Sequence, residues 1–529
     1  MKKIYLVCAA IVCMTFVMQA ADWYPTTRIK VAPDAGGIPP NAPSNGALVD
    51  AIRGLKEGET ELVPAGGSAI YELQRGGVYY LNAQCSLGSN DVIICAEEGT
   101  GPRPIIVPYG NSAGSDLFRS AAKLRLENLY LYGIEFGSGV ARAGMIRFTA
   151  AEDAGISEFE NCCFDGGAGS SILRYNDLNA SYTYLLFINV NNCTFRNCID
   201  YDATGDARGI DFRNSKNINA EITNSTFYSI SAQPVRQGTN TIDNLVFVNN
   251  TIYGSTTSFP IGVAEQAVIK NNIFYNMVLN GGNSEPVAII SVDRIEYPRE
   301  ILFQNNLFYN EPAFEALSPA TPPRYHATNI LNGAGYSLIG TGELTVSDTL
   351  SYAIDFKNPP ETALAYYTFQ WANNFPTAIP AEERTLTRRE VAIAAPAYNA
   401  GFVGDALETV EPYSFSYPDS SPAATAGEGG TYLGAWEPYE ATGIPQIKAN
   451  DDIRCYFDAG AKTMNITFNS AVALAKVAVY TPAGALVAHQ LVVPDGQKAE
   501  YVLPELSKGA YLFVVEVPDG NRARGKFVY

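Results

Sequence analysis

Histidine is almost absent from this chain of 529 residues, which carries only His326 and His489. Neither sits in a setting that pairs a nucleophile with its base, so hydrolysis of the Ser/His/Asp or Cys/His kind is not supported. Basic residues are short as well. Lys and Arg number 36 against 54 Asp and Glu, for a net charge of -18, and a chain of that sign lacks the basic footprint that nucleic acid needs. No Cys-x-x-Cys spacing occurs among the nine cysteines, which argues against a metal centre of that type. Long apolar runs are missing except at the N-terminus, where Lys2 and Lys3 precede Ile4 to Val17 and the small residues Ala20 and Ala21. That run is too short to span a bilayer and has the layout of a secretory signal, residues 1–21. Neither Cys8 nor Cys13 follows the small residue that a lipoprotein signal needs. An exported monomer without a membrane span is expected.

What the chain does have is a repeat. An asparagine, two residues and a large apolar residue recur at Asn161 to Phe164, Asn192 to Phe195, Asn224 to Phe227, Asn249 to Ile252, Asn271 to Phe274 and Asn305 to Phe308. The steps between these asparagines are 31, 32, 25, 22 and 34 residues, close to one turn of a parallel solenoid with loop insertions. The fold predicted is all-β, a right-handed single-stranded parallel β-helix followed by an antiparallel β-sandwich. Rungs about 4.8 Å apart would let inward asparagines bond from one coil to the next, and the apolar residue three places on would fill the interior. The tyrosines at 228, 253, 275 and 309 would then face outward or into a turn. Cys162 and Cys193 should stack on neighbouring rungs at a spacing a disulfide tolerates, with Cys85 and Cys95 a second pairing to consider; packed thiols are the favoured state.

Boundaries follow from composition. After the signal, a β-helix domain is expected over residues 22–440, with a helix around Leu48, Ile52 and Leu55 capping its open end. Its first rungs read as Tyr71 to Leu81, Asp91 to Cys95 and Pro104 to Val107. The stretch 310–411, rich in Pro, Ala and Tyr, reads as irregular last rungs and loops, and Ser421 to Pro438 as the phrase that ends the solenoid. A linker near Gly443 leads to residues 446–529. There short strands with turns at Pro482-Ala-Gly, Pro494-Asp-Gly and Pro518-Asp-Gly-Asn indicate the sandwich.

A second register concerns chemistry. Ile146-Arg147, Leu173-Arg174, Phe212-Arg213 and Val235-Arg236 precede their asparagines by 14, 18, 11 and 13 residues. If the strands pair in register, the apolar members point inward and four arginines project from one face. Such a row calls for anions, either the carboxylates or sulfates of an acidic polysaccharide or the chain's own Glu152, Asp153, Asp177, Asp206 and Asp211. The segment from Tyr201 to Lys216 gathers acids and bases at the middle of the row.

Over residues 28–438 the chain resembles the pectate-lyase-like β-helix superfamily, loosely its chondroitinase-B-type lyases. The resemblance implies Ca²⁺ neutralising a uronate carboxylate while a lysine or arginine removes the C5 proton. Carried onto this sequence, Arg213 or Lys216 would be the base, Arg147, Arg174 and Arg236 would hold substrate, and Asp206 and Asp211 would bind calcium. A polygalacturonase-like site is disfavoured, since no histidine lies in a Gly-His-Gly element. Only Gly209-Ile-Asp-Phe212 echoes a methylesterase-like one. The last 80 residues or so, with Leu506-Ser-Lys-Gly-Ala-Tyr-Leu512 and Gly525-Lys-Phe-Val-Tyr529, resemble the sorting domain of type IX secretion cargo. That implies an extracellular, outer-membrane-surface or periplasmic protein of a Gram-negative bacterium. A lyase acting by β-elimination on acidic polysaccharide is expected first, and a non-catalytic glycan-binding or adhesive protein is the rival.

Overall fold

The computed structural model describes residues 25–359, 414–435 and 453–529, apart from connecting segments, the longest being 35–45, 54–67, 134–143, 176–185, 278–287, 313–328 and 332–343. The signal-like segment, Glu152, Asp153, Asp177, Asp206, His326 and most of the Tyr-rich stretch lie outside the described residues. Among those described, no helix is long and apolar enough to cross a membrane.

The chain divides into two units, residues 1–439 and 440–529. In the first, three parallel sheets are interleaved. The first sheet has eleven strands, from Arg28–Val31 to Leu344–Ser347; the second has nine, from Val78–Leu81 to Leu307–Tyr309; the third has six, from Cys85–Gly88 to Val235–Arg236. Strands adjacent in a sheet are one full turn apart in sequence, so the chain visits the sheets in rotation. This is a parallel β-helix. A further three-stranded parallel sheet, Phe259–Pro260, Ala288–Ser291 and Asn329–Leu331, serves the later turns.

Register places Phe164, Phe195, Phe227, Ile252, Phe274 and Phe308 directly over one another. All are buried, and Phe195 and Phe227 stack with ring centroids 4.7 Å apart. Each enclosed ring contributes about 1.5–3 kcal/mol of apolar burial, which makes this column the spine of the core. The helix Ala47–Arg53 buries Leu48, Val49 and Ile52 in the same cluster, and Asp34 Oδ1 accepts the Ala47 amide at 2.9 Å. A helix thus stands where the cap is expected, and Leu55 lies outside the described residues.

The asparagine column differs from expectation by one place. Asn128, Asn161, Asn192, Asn224, Asn249, Asn271 and Asn305 all have φ between 50 and 58°, at the corner between the first and second sheets. This left-handed conformation is one that asparagine tolerates better than most residues, and the expected coil-to-coil amide bonds are made here in part, Asn161 Nδ2 donating to Asn128 Oδ1 at 2.6 Å and Asn192 Nδ2 to Asn161 Oδ1 at 3.2 Å. The inward position belongs to the next residue: Cys162, Cys193, Ser225, Asn250, Asn272 and Asn306 are buried. There the Asn272 amide nitrogen donates to Asn306 Oδ1 at 2.9 Å and to the Phe247 carbonyl at 2.8 Å. Ser225 N donates to Asn250 Oδ1 at 2.9 Å, and Cys193 N to Ser225 Oγ at 3.0 Å. Cys162 and Cys193 do stack, with the Cys162 amide 3.4 Å from Cys193 Sγ. Cys85, Cys95, Cys162, Cys163, Cys193, Cys198 and Cys455 are all free thiols.

The tyrosines beside the spine point outward yet are not exposed. Tyr228, Tyr253 and Tyr275 pack under Ile354, Phe356, Phe415, Tyr417 and Leu433. Ser421 to Ala435, near the end of the first unit, returns as a strap along the second sheet. Gly434 N donates to the Asn271 carbonyl at 2.7 Å, and Ala435 N to Thr251 Oγ1 at 3.0 Å. A side chain at Gly434 would meet Thr251 Oγ1 at 2.5 Å and Ile273 Cδ1 at 2.6 Å, so only glycine lets the strap approach this closely.

The second unit has two antiparallel sheets, one of Ile453–Asp458, Thr463–Phe468 and Lys498–Val502, the other of Leu486–Val492, Ala475–Tyr480, Ala510–Glu516 and Arg522–Val528. Alternate residues of both sheets, such as Met464, Ile466, Phe468, Val477, Val479 and Val515, form one buried cluster. That pattern is a small β-sandwich.

Candidate anion-binding face

The third sheet carries the arginines. Its strands Phe118–Ser120, Ile146–Phe148, Ser171–Tyr175, Arg208–Asp211 and Val235–Arg236 alternate inward apolar and outward polar residues. Phe118, Ile146, Leu173, Ile210 and Val235 are buried, and the residue after each stands outside. In register these outward residues are Arg119, Arg147, Arg174, Asp211 and Arg236. Arg147, Arg174 and Arg236 are where the sequence reading expects them. Arg119 is an added member, legible in the same apolar-then-arginine pair at Phe118.

Arg213 is not on the row. Its place belongs to Asp211, because the strand ends at that residue and Arg213 follows in a turn with φ 53°. Its backbone N–H donates to Asp211 Oδ1 at 3.0 Å. Lys216 is exposed two residues beyond the masked position 214 and one beyond buried Ser215.

Two carboxylates lie beneath these cations. Asp211 is fully enclosed, with Arg236 Nη1 at 3.1 Å, Arg213 Nε at 3.3 Å and Arg208 Nη1 at 3.5 Å. Ser171 Oγ donates to its Oδ2 at 3.1 Å. Asp116 is also buried, but its ion pairs are long, 3.9 Å to Arg119 and 4.0 Å to Arg147. Burial raises its pKa, while Arg147, Arg119 and Arg174 pull the other way. Asp116 thus pairs with two arginines and Asp211 with three. The Nε of Arg119, of Arg147 and of Arg213 beside Asp211 is enclosed without a hydrogen-bond acceptor among the described residues. Side chains of Arg119 and Arg147 are 41% and 28% exposed against 6% for Asp116, so negative ends are covered and positive tips face solvent. The pKa of Arg174 is lowered by burial and by Arg213 and Arg147 on either side.

No family model matches this chain, and no curated protein matches it either. What the face can do therefore rests on its geometry. Calcium does not fit the described residues. A hard dication wants several oxygens, whereas both Asp211 oxygens are engaged by guanidiniums, and Asp206 lies outside the description. Among the described residues no group of three or more His, Cys, Asp or Glu is placed to hold a metal.

Other charged regions behave differently. An open cavity of about 610 Å³ on the first sheet is lined by Arg28, Arg125, Glu72, Glu98 and Glu127. Arg125 pairs there with Glu158 at 3.0 Å and Glu127 at 3.1 Å, so carboxylates outnumber arginines around this hollow. On the second sheet, buried Arg196 reaches Asp165 Oδ2 at 2.8 Å and donates to the hydroxyls of Tyr228 at 2.8 Å and Tyr130 at 2.7 Å. Tyr130 donates in turn to Asp165. Among the described residues, the ion pairs of Arg119 and Arg147 in the third-sheet row are longer than those of Arg125 and Arg196.

Proposed function

We propose that this protein recognises acidic polysaccharide along the outer face of its third sheet. One observation carries the reading: Arg119, Arg147 and Arg174 follow one another in register on consecutive rungs. Guanidiniums repeating about every 4.8 Å repel by roughly 1 kcal/mol per pair at solvent dielectric, and anionic groups on an extended glycan relieve that repulsion. Planar forks of donors suit carboxylates and sulfates. The sequence resemblance to pectate-lyase-like proteins supports the same substrate class. The signal-like N-terminus and the resemblance of the second unit to a type IX sorting domain support a site of action outside the cytoplasm.

A reaction by β-elimination is the second reading, with Arg174 at the centre of the row, in register between Arg147 and Asp211, whereas Arg213 contacts the Asp211 carboxylate. The test is to offer the purified protein pectate, alginate and chondroitin sulfate, following retention by affinity electrophoresis and ultraviolet absorbance of unsaturated uronates. Retention without a rise in absorbance supports binding alone; a rise that Arg174→Gln abolishes supports elimination. Failure to retain any acidic glycan at low salt would overturn the proposal.

A further inference from the structure

Asp116 is a buried carboxylate set two residues before the strand Phe118–Ser120, beneath a face of arginines. Gln84 Nε2 donates to its Oδ2 at 3.3 Å. Its cations stand farther off, Arg119 Nη2 on its own turn at 3.9 Å and Arg147 Nη1 on the next at 4.0 Å, beyond hydrogen-bond reach. Arg174, one rung further on, acts on it through space. Among the described residues, the groups that face this carboxylate are thus three cations and one amide. Arg119 and Arg147 are also side chains whose tips reach solvent. An anion docking on those tips and the carboxylate beneath them draw on the same two guanidiniums.

Resting on the acidic-glycan recognition proposed above, we infer that Asp116 is a specificity-determining residue of this face, a resident counter-ion that competes with the ligand's anions for Arg119 and Arg147 and takes up a proton from solvent when they bind. Burial favours its protonated form, against the pull of Arg147, Arg119 and Arg174. An anion that occupies these arginines weakens that pull and adds a like charge of its own, and both changes favour the neutral acid. A site that gains a proton on binding holds its ligand more tightly as pH falls. The ligand's anion would lie roughly 7 Å from Asp116, on the far side of a guanidinium. At an effective dielectric between those of water and a protein surface, repulsion over that distance changes affinity about fivefold. The grip of the face on an acidic glycan is therefore graded by acidity.

Calorimetric titration of the whole chain with dextran sulfate tests this, because sulfate esters stay ionised and only the protein titrates. At about pH 7.5, Asp116→Asn should bind about fivefold more tightly than the unmodified protein, and the two affinities should converge as pH falls through the titration of Asp116. The other carboxylates of a chain of charge -18 ionise in both proteins, so their effect leaves the ratio unchanged. In buffers of different ionisation enthalpy the unmodified protein should take up more protons on binding than the variant. Equal affinities at every pH would overturn the role of Asp116 while leaving glycan recognition standing. Weaker binding by Asp116→Asn at every pH would overturn it as well, because the carboxylate would then serve only to hold its arginines in place. Should the variant not fold, binding by the unmodified protein without proton uptake would decide against the inference, and uptake would support it. No binding of dextran sulfate or of pectate at any pH would remove both this inference and the function on which it rests.

Discussion

Two neighbouring sheets of this β-helix handle arginine in opposite ways. On the second, Arg196 is enclosed among Asp165, Tyr130 and Tyr228, all within hydrogen-bond reach. Burial alone would lower its pKa, yet the Asp165 carboxylate and the tyrosine oxygens hold it well above the usual guanidinium value. On the third, Arg119 and Arg147 share a single carboxylate at about the limit of an ion pair, and their tips are in solvent. A guanidinium donates five hydrogen bonds and accepts none. A stack of them cannot satisfy itself, and its acceptors must be built in, as around Arg196, or brought in by a partner. The inner asparagines make the same point from the other side. An amide both donates and accepts, so Asn250, Asn272 and Asn306 close their own column.

Replacing Arg196 should give the largest effect. Arg196→Leu leaves Asp165 buried and uncompensated, and the expected loss is about 3–5 kcal/mol, measurable as a fall in the denaturant midpoint. A loss below 1 kcal/mol would mean that the second-sheet network is no more structural than the third-sheet row. Next come the two asparagine positions of one corner. Asn272→Leu strands amide partners above and below and should cost about 1–3 kcal/mol. Asn224→Leu, half-buried at φ 51°, should cost roughly 1–2 kcal/mol through its left-handed backbone, and Asn224→Gly should recover most of it. Recovery of Asn272→Leu by glycine instead would reverse the assignment of inner and outer columns. The smallest effect on folding is expected at Arg147→Gln, within about 0.5 kcal/mol, together with weaker retention on pectate. If its stability fell as far as that of Arg196→Leu, the row would be part of the scaffold.

The coil, its spine and the strands of the second unit were legible because each rests on local pattern. An apolar residue every second place in a strand fixes which face is buried, and Phe195 and Phe227 had to stack once the turns were counted. The inward asparagine was misplaced because one residue of left-handed backbone shifts the alternation, and a sequence shows the recurrence of asparagine without its φ. The same one-place effect separates Arg213 from the row: its strand ends at Asp211, and nothing in Asp211-Phe-Arg213 marks that end. Arg119 is less legible for a different reason: the Asn128 that follows it, with φ 58° beside 50–56° for the others, is followed by Leu131 at the spine position, where most later turns carry phenylalanine. Asp116 could not be found by counting, since its role depends on lying under two rungs at once.

The strap has a consequence for how the molecule comes apart. A solenoid whose turns touch only their neighbours can fray from an end, one coil at a time. Here the link from Ala435 to Thr251 joins positions 184 apart, and the strap also binds Asn271 and Asn305. Three turns that would otherwise peel in succession are tied together, so unwinding from that side must first lift a distant piece of the same chain.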